Sequence, residues 1–276
     1  MIQNMRIGKK DFPIGERTYI CGILNVTPDS FSDGGEHNEI EKAMMHVKRM
    51  IEEGADIIDV GGESTRPNYT MISDEEEISR IVPVIEAIRK NWDIPISIDT
   101  YKSKVARAAC IAGADLINDI WGLKYDSAMA SVAKEQDASV CIMHNRKTIN
   151  YQNFYQDFVM DMKECIEIAT KAGIARDKMI LDPGIGFAKT YEMNLMLLGH
   201  LGKMLEFDLP VLVGASRKSV IGLTLNEPIE NRLEGTIATS VIAAMKGCHF
   251  IRVHDVKENL RAVRMAEAIL HSRDLE

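Results

Sequence analysis

Eight short runs rich in Val, Ile and Leu, each followed by an amphipathic stretch, recur from one end of the chain to the other. They are ICGILNV near Ile20, DIIDV near Asp56, PISID at Pro95, DLINDI at Asp115, ASVCIM at Ala138, KMILD at Lys178, PVLVG at Pro210 and HFIRV at His249. Near-continuous apolar runs of this length are what strands buried on both faces look like. Between them lie stretches such as EIEKAMMHVKRMIEEG, DEEEISRIVPVIEAIRK, KSKVARAACIAG, FVMDMKECIEIATKAG and NRLEGTIATSVIAAMKG, whose apolar residues recur at three-to-four spacing. Several end in Gly, the usual residue just past a helix. The join to the next strand is itself repeated, since EEGADIIDVGG and IAGADLINDIWG share a Gly-Ala-Asp approach and KGCHFIRVHD is a looser echo.

Strict βα alternation with short connections predicts a parallel sheet, and eight units of about 30 residues fit a closed barrel better than an open doubly wound sheet. The expected architecture is α/β, a (β/α)8 TIM barrel in a single domain over residues 1–276, with barrel units from about 18 to about 271. The open sheet is the alternative; a G-x-G-x-x-G after the first strand would favour it, and none stands there.

Composition narrows the class of function. Hydrophobic residues make up 46% and charged residues 27%, an ordinary globular balance. No apolar stretch approaches the roughly 18 residues of a membrane span, and the first residues lack the pattern of a secretory leader, so a cytoplasmic protein without membrane attachment is expected. Five cysteines without close pairing are expected to be buried thiols rather than disulfides or metal ligands. With 33 basic against 41 acidic side chains the net charge is −8, a field that repels nucleic acid. An anionic small substrate would need a local cluster of cations.

In a barrel of this kind the site lies at the C-terminal ends of the strands, so the residues just after each run are the informative ones. There stand Asn25, Asp59 with Glu63, Asp99, Asn118 with Asp119, His144, Asp182, Ser216 to Ser219, and Arg252 with His254. Singly, several have an ordinary structural explanation: Asp59, Asn118 and Asp119 are as well read as turn or cap residues. His144 and His254 alone read first as satisfied structural residues. Together they describe a polar cavity. NVTPDSFSDGG (25–35) reads as a long loop over the mouth of the barrel, of the kind that excludes water, and Phe31 among its polar residues asks for an apolar partner. GGESTRP (61–67) adds hydroxyls and a guanidinium. GASRKSVIG (214–222) places Ser216, Arg217, Lys218 and Ser219 at the start of a helix, where backbone N–H groups and cations receive anions.

The segments NVTPDSFSDGG, ADIIDVGGESTRP, ISIDT, LINDI, LDPGIGF, GASRKS and RVHD, in this order between about Ile20 and Asp255, resemble the signature segments of the dihydropteroate synthase (pterin-binding) family. The resemblance implies a transferase of folate biosynthesis that condenses 6-hydroxymethyl-7,8-dihydropterin diphosphate with 4-aminobenzoate to give 7,8-dihydropteroate and diphosphate. It also assigns roles. Asn25 would bind Mg2+ together with the substrate diphosphate, one protein oxygen sufficing because this ion retains waters and takes phosphate oxygens. Asp99, Asn118 and Asp182 would pair with the pterin edge, flanked by Met143, with Lys218 packed along the ring. Thr65, Arg252 and His254 would hold diphosphate. The 4-aminobenzoate site would comprise Phe31, Thr65, Arg66, Pro67, Phe187, Lys218 and Ser219, with Phe31 and Asp33 closing over it. Sulfonamides would compete there, and a homodimer built on the late helices is implied.

The chemistry is expected to run through departure of diphosphate, because an aryl amine is a weak nucleophile, with Lys218, Arg252, His254 and Asp33 as the catalytic side chains. One departure from the family pattern is the fifth loop, where Met143-His144 leads into NRKTINYQNFYQDF; the resemblance gives no role to Asn145 or Arg146. The rival of a different reaction class is a pterin-dependent methyltransferase acting on methyltetrahydrofolate. NVTPDSFSDGG and the SRK loop speak against it, since methyl transfer has no diphosphate to hold. A non-catalytic binding barrel is the third reading, opposed by the presence of Asn25, Asp99, Asp182, Lys218 and Arg252.

Overall fold

The computed structural model describes residues 2–26, 36–63 and 71–272. Its strands are β1 (Asn4–Ile7), β2 (Lys10–Pro13), β3 (Tyr19–Asn25), β4 (Ile57–Gly61), β5 (Ile96–Asp99), β6 (Leu116–Asp119), β7 (Ser139–Met143), β8 (Met179–Asp182), β9 (Leu212–Val213) and β10 (Phe250–Val253). Each of the eight apolar runs has become a parallel strand, from β3 to β10. Sequence order is spatial order from β3 to β8, with β10 beside β3 and β9 beside β10. The ring closes where Leu181 bridges Val211, the Leu181 N–H donating to the Pro210 carbonyl at 2.8 Å. A closed barrel therefore replaces the open-sheet alternative.

Helices α1 (Glu36–Glu52), α2 (Asp74–Asn91), α3 (Ser103–Ala112), α4 (Met129–Glu135), α5 (Phe154–Lys171), α6 (Tyr191–Gly199), α7 (Ser219–Leu225), α8 (Leu233–Met245) and α9 (Val256–His271) surround the strands. Side chains start three of them: Ser73, Asn153 and Thr190 accept the N–H groups of Glu76, Gln156 and Met193 at 3.1, 3.2 and 3.3 Å. Among the described residues no helix is long and apolar enough to cross a membrane. All five cysteines are free, and four are buried.

The repeated Gly-Ala-Asp approach has a physical cause. Gly54 and Gly113 end α1 and α3 at φ +99° and +122°, a conformation costly for a side chain. The aspartate then turns to the preceding strand, Asp56 accepting the Ile20 N–H at 3.0 Å and Asp115 the Ile96 N–H at 2.9 Å. Each carboxylate also binds an arginine, Arg17 on Asp56 at 2.6 Å and Arg89 on Asp115 at 2.5 Å. In the looser echo His249 takes the aspartate's place, its Nδ1 accepting the Val211 N–H at 3.0 Å. Burial lowers the His249 pKa to about 4, which leaves that nitrogen free to accept.

Alternate residues of each strand face opposite ways. Ile58, Val60, Ile96, Ile98, Ile117, Val140, Ile142 and Leu181 pack outward among the helices. The inward set is layered. Tyr19, Cys21, Ile57, Leu116, Cys141, Ile180, Leu212 and Phe250 form an apolar cluster with Met5, Ile7 and Phe12. The last three come from the β1–β2 hairpin, which nothing in the strand pattern anticipated. Phe12 lies edge-on to Tyr19 with ring centroids 4.8 Å apart and tilted against Phe250 at 5.7 Å. The hairpin thus plugs the end of the barrel where the strands begin.

Toward the C-terminal ends the same inward face becomes polar, with Asp59, Ser97, Asp99, Asn118 and Asp182 all buried. Arg252 organises this layer. Its Nε donates to Asp59 Oδ2 at 2.6 Å and its Nη2 to Asp99 Oδ2 at 2.6 Å, joining β10 to β4 and β5. Burial works against the charge, but Asp59 and Asp99 hold the guanidinium pKa above its ordinary value. Removing one partner of a buried ion pair leaves an uncompensated charge, at a cost of about 3–5 kcal/mol.

Asp59→Asn should lower unfolding stability by about that amount in urea titration. Phe12→Ala should cost about 3–5 kcal/mol by loss of the plug. An unaltered urea midpoint in either variant contradicts the corresponding assignment.

Candidate active site

Period-two alternation and parallel register bring the strand-end residues to one place. Asp99 and Asn118 are register partners on β5 and β6, and Met143 and Asp182 on β7 and β8. Asp99 Oδ1 and Asn118 Oδ1 are buried with no hydrogen-bond partner, as are Asp59 Oδ1 and Ser97 Oγ below them. Buried acceptors without donors are costly, about 1–3 kcal/mol each, so this cluster is built to receive N–H groups. Burial pushes the Asp99 carboxyl up to about 7, with Asp59 and Glu77 adding to the rise and Arg252 opposing it.

Asp182 sits across the cavity. Its Oδ1 accepts the Gly184 N–H at 2.7 Å, while Oδ2 faces Gly214, where an added Cβ would lie 3.7 Å away. Burial raises its pKa, against the opposing effect of Lys218. Lys218 follows a turn in which Arg217 adopts φ +57°. The two cations of this turn part company. Arg217 folds back onto Asp255, at 3.1 and 2.5 Å, and is committed to structure. Lys218 points inward, its Nζ donating to the Ile185 carbonyl at 2.6 Å and lying 4.7 Å from the centre of the Phe187 ring. Burial draws its pKa down to about 8, against Asp182 and Asp99, which favour the charge.

The remaining expected residues lie around this centre. His254 Nδ1 is 2.9 Å from Ser216 Oγ, linking the seventh and eighth loops. Ser219 is exposed at the start of α7. Met143 belongs to a small apolar cluster with Tyr101 and Ile120, against which Phe187 packs. Asn25, half-buried at the end of β3, turns its Oδ1 toward Gly61, where an added Cβ would stand 3.8 Å from it and 4.0 Å from Asp99 Oδ2. Phe31, Asp33, Thr65, Arg66 and Pro67 lie outside the described residues, as does most of the first loop.

Several structural roles were not separable in the sequence. Asp119 does cap, accepting the N–H groups of Trp121 and Leu123 at 2.8 Å each. Asp59, which had the same ordinary explanation, instead grips Arg252; only a pairing across 193 positions tells the two apart. Glu63 joins Tyr101 at 2.5 Å and Lys102 at 2.6 Å, and Lys102 also binds Glu77 at 2.8 Å, a buried ionic group that ties β4 to α2 and α3. His144 is fully buried and, with its pKa lowered by burial to about 4, is neutral. A cavity of about 460 Å3 between the loops after β6 and β7 is lined by Trp121, Tyr125, Asn145 and Arg146, and contains none of the converging carboxylates. Convergence of buried charge, not cavity size, locates the site. Among the described residues no group of three or more His, Cys, Asp or Glu side chains is placed to hold a metal.

Comparison with known proteins gives the family. The model of the family described as pterin binding enzyme matches residues 21–254. A dihydropteroate synthase of Clostridium beijerinckii is 60% identical over 267 residues, 96% of this chain and 99% of that one. Among solved structures, dihydropteroate synthase from Clostridium difficile in the presence of pteroic acid has a TM-score of 0.91 at 50% identity, covering 94% of this chain and 98% of that chain. The Yersinia pestis enzyme in a sulfonamide drug complex has a TM-score of 0.90 at 42% identity, and the Xanthomonas albilineans enzyme with 4-aminobenzoic acid 0.92 at 39%, each covering 98% of this chain and 99% of its own. Strand order, the inward polar layer and these matches lead to one statement: the chain belongs to the pterin-binding enzyme family.

Proposed function

We propose that this chain is a dihydropteroate synthase, joining the pterin methylene carbon of 6-hydroxymethyl-7,8-dihydropterin diphosphate to the amine of 4-aminobenzoate with release of diphosphate. The observation that carries the substrate assignment is the pair of unpartnered buried acceptors on Asp99 and Asn118, with buried Asp182 across the cavity and an inward lysine. A pterin edge presents amide and amino N–H groups side by side, and each left unpaired in a buried pocket costs about 1–3 kcal/mol. The matches along almost the whole chain favour this reaction over methyl transfer.

In the mechanism, Asp99, Asn118 and Asp182 take the pterin edge while Lys218 lies along the ring. Diphosphate meets Arg252 of β10 and the loop that follows it. Arg252 has Nε and Nη2 committed to carboxylates, which leaves Nη1 to face the leaving group, with His254 beside it. As the C–O bond lengthens, negative charge grows on diphosphate and positive charge on the pterin; fixed cations on one side and carboxylates on the other stabilise the separation without reorganising. The aryl amine attacks the carbon, its proton leaves, and no covalent enzyme intermediate is needed. Phe187, Lys218 and Ser219, with Phe31, Thr65, Arg66 and Pro67, receive 4-aminobenzoate, and sulfonamides compete for that position. Asp33 and Thr65 complete the assignment on the first and second loops.

The donor set suits a magnesium ion carried in with the diphosphate. Asn25, whose Oδ1 faces a wall kept open by Gly61, would hold such an ion through one hard oxygen, the rest of its shell being left to phosphate and water. Such an ion would supply charge neutralisation on the leaving group. We further propose a cytoplasmic homodimer. Leu223 and Leu225 at α7 and Ile242 and Met245 on α8 are large apolar side chains exposed close together in sequence, an arrangement that a second copy would cover.

The direct test is incubation of the pure protein with both substrates and Mg2+, with dihydropteroate and diphosphate as the expected products; absence of both refutes the function. Asp182→Ala should weaken pterin diphosphate binding at least about tenfold, in line with the ~1.5–3 kcal/mol of a charge-assisted hydrogen bond. Lys218→Ala should impair both substrates. Since the ammonium form of Lys218 is the one used, and burial draws its pKa down to about 8, kcat/KM should be lost as pH rises through about 8. In Lys218→Arg that alkaline limb should move up, because a guanidinium keeps its proton.

A further inference from the structure

Lys189 is buried, yet none of its hydrogen bonds goes to a carboxylate. Its Nζ donates to the carbonyls of Gly184 and Phe187 at 2.9 Å each and approaches that of His144 at 3.3 Å. The fourth partner is His144 Nδ1, at 2.9 Å. That ring nitrogen must accept, so the proton sits on Nε2 and is donated to Asp161 Oδ2 at 2.9 Å. Arg146 in turn grips Asp161 at 2.6 and 3.1 Å and stacks 4.3 Å from the centre of the Tyr151 ring. The Tyr151 hydroxyl then donates to the Ala188 carbonyl at 2.9 Å, returning the circuit to the residue before Lys189. Two partners of this circuit, Arg146 and Tyr151, come from the divergent fifth loop.

Residues 184–188 are held from every side. The Gly186 N–H donates to Asn194 Oδ1 of α6 at 2.6 Å, and the Ile185 carbonyl receives Lys218 at 2.6 Å. An added Cβ at Gly184, at φ +69°, would lie 2.0 Å from the His144 carbonyl, and one at Gly186, at φ +85°, 3.2 Å from Lys218 Cδ. This tightly packed loop presents the Phe187 ring and the Ile185 carbonyl to Lys218.

We propose that Lys189 is the positioning residue of the 4-aminobenzoate side of the site: its buried ammonium, braced through His144, Asp161, Arg146 and Tyr151, clasps residues 184–188 so that Phe187 and Lys218 stand in place for the aryl amine. The proposal rests on the dihydropteroate synthase reading above. Burying a lysine without a carboxylate partner is costly in free energy, and burial draws its pKa down to about 7 against Asp182 and Asp161. Set against that cost is a loop whose carbonyls at Gly184, Ile185, Phe187 and Ala188 all have donors. The pterin acceptors Asp99 and Asn118 stand on other strands, whereas Asp182 and Lys218 touch the clasped loop at Gly184 and Ile185, so loss of the clasp should weaken pterin binding too, but less than aminobenzoate binding.

The test compares Lys189→Met, which fills the space without donating, with Lys189→Gln, which keeps an N–H donor. For Lys189→Met the 4-aminobenzoate KM should rise about tenfold, as expected for a sub-ångström displacement of a substrate-contacting loop, while the Kd of pterin diphosphate, which keeps Asp99 and Asn118, rises by no more than about threefold. Lys189→Gln should recover part of the loss. In ligand-free protein, hydrogen exchange at Gly186 and Phe187 should quicken in Lys189→Met, and this readout holds whether or not the reaction is the one assigned. Unchanged exchange and unchanged aminobenzoate KM overturn the proposal. So does an equal loss of pterin affinity, which would make Lys189 a support of the whole site. Wild-type protein without activity would instead strike the functional reading. If Lys189→Met does not fold, Tyr151→Phe, which removes only the hydroxyl on Ala188, must show the same split in smaller measure, and equal constants there overturn the clasp.

Discussion

The buried contact of Arg252 with Asp59 and Asp99 is what the rest of the site depends on. Two 2.6 Å hydrogen bonds join strand β10 to β4 and β5 across the barrel's interior. A guanidinium taken out of water alone would cost several kcal/mol, and so would either carboxylate; in a fixed planar arrangement they offset one another. The geometry leaves the offset incomplete, because one oxygen of each aspartate has no partner. These free oxygens, with Asn118, make the upper interior a surface of acceptors, and burial in the same desolvated space raises Asp99, against Arg252, and lowers Lys218, against Asp182 and Asp99.

Such a layer needs a dry floor. The lower interior is filled by Tyr19, Ile57, Leu116, Ile180, Leu212 and Phe250, and sealed by Met5, Ile7 and Phe12 from the hairpin. Without that seal, water would reach the ion triad from below and weaken each electrostatic contact by raising the local dielectric. The barrel is therefore organised along its axis, apolar where the strands begin and charged where they end. The loops divide their cations in the same way. Arg217 is tied to Asp255, Lys218 turns inward to the Ile185 carbonyl, and Lys189 holds the neighbouring carbonyls of Gly184 and Phe187.

The strands, their order and the gathering of polar residues at their ends were legible because each rests on local pattern: buried parallel strands read as apolar runs, and helix ends as glycine. The Gly-Ala-Asp repeat was visible too, though not its reason, a carboxylate reaching the backbone of the neighbouring strand. The hairpin was not legible. Asn4 to Ile7 does alternate polar and apolar, but four residues are too short a run to mark a strand, and its burial comes from contact with residues far along the chain. Likewise His144 and Lys189 carried no signal of partnership, since they are 45 positions apart and meet only in the fold.

By itself, then, the sequence determined the eight-unit alternation, the expectation of a barrel and, through its signature segments, the family and the residues to inspect. Tertiary structure alone decided which polar residue does what. Asp59 and Asp119 look alike as strand-end aspartates, yet one faces inward to Arg252 and the other caps Trp121 and Leu123. Arg217 and Lys218 are adjacent cations, yet one is held by Asp255 and the other reaches the site. The physical reason is that side-chain direction and desolvation depend on neighbours brought together only when the barrel closes; residue type states what a group can do, and its surroundings determine what it does.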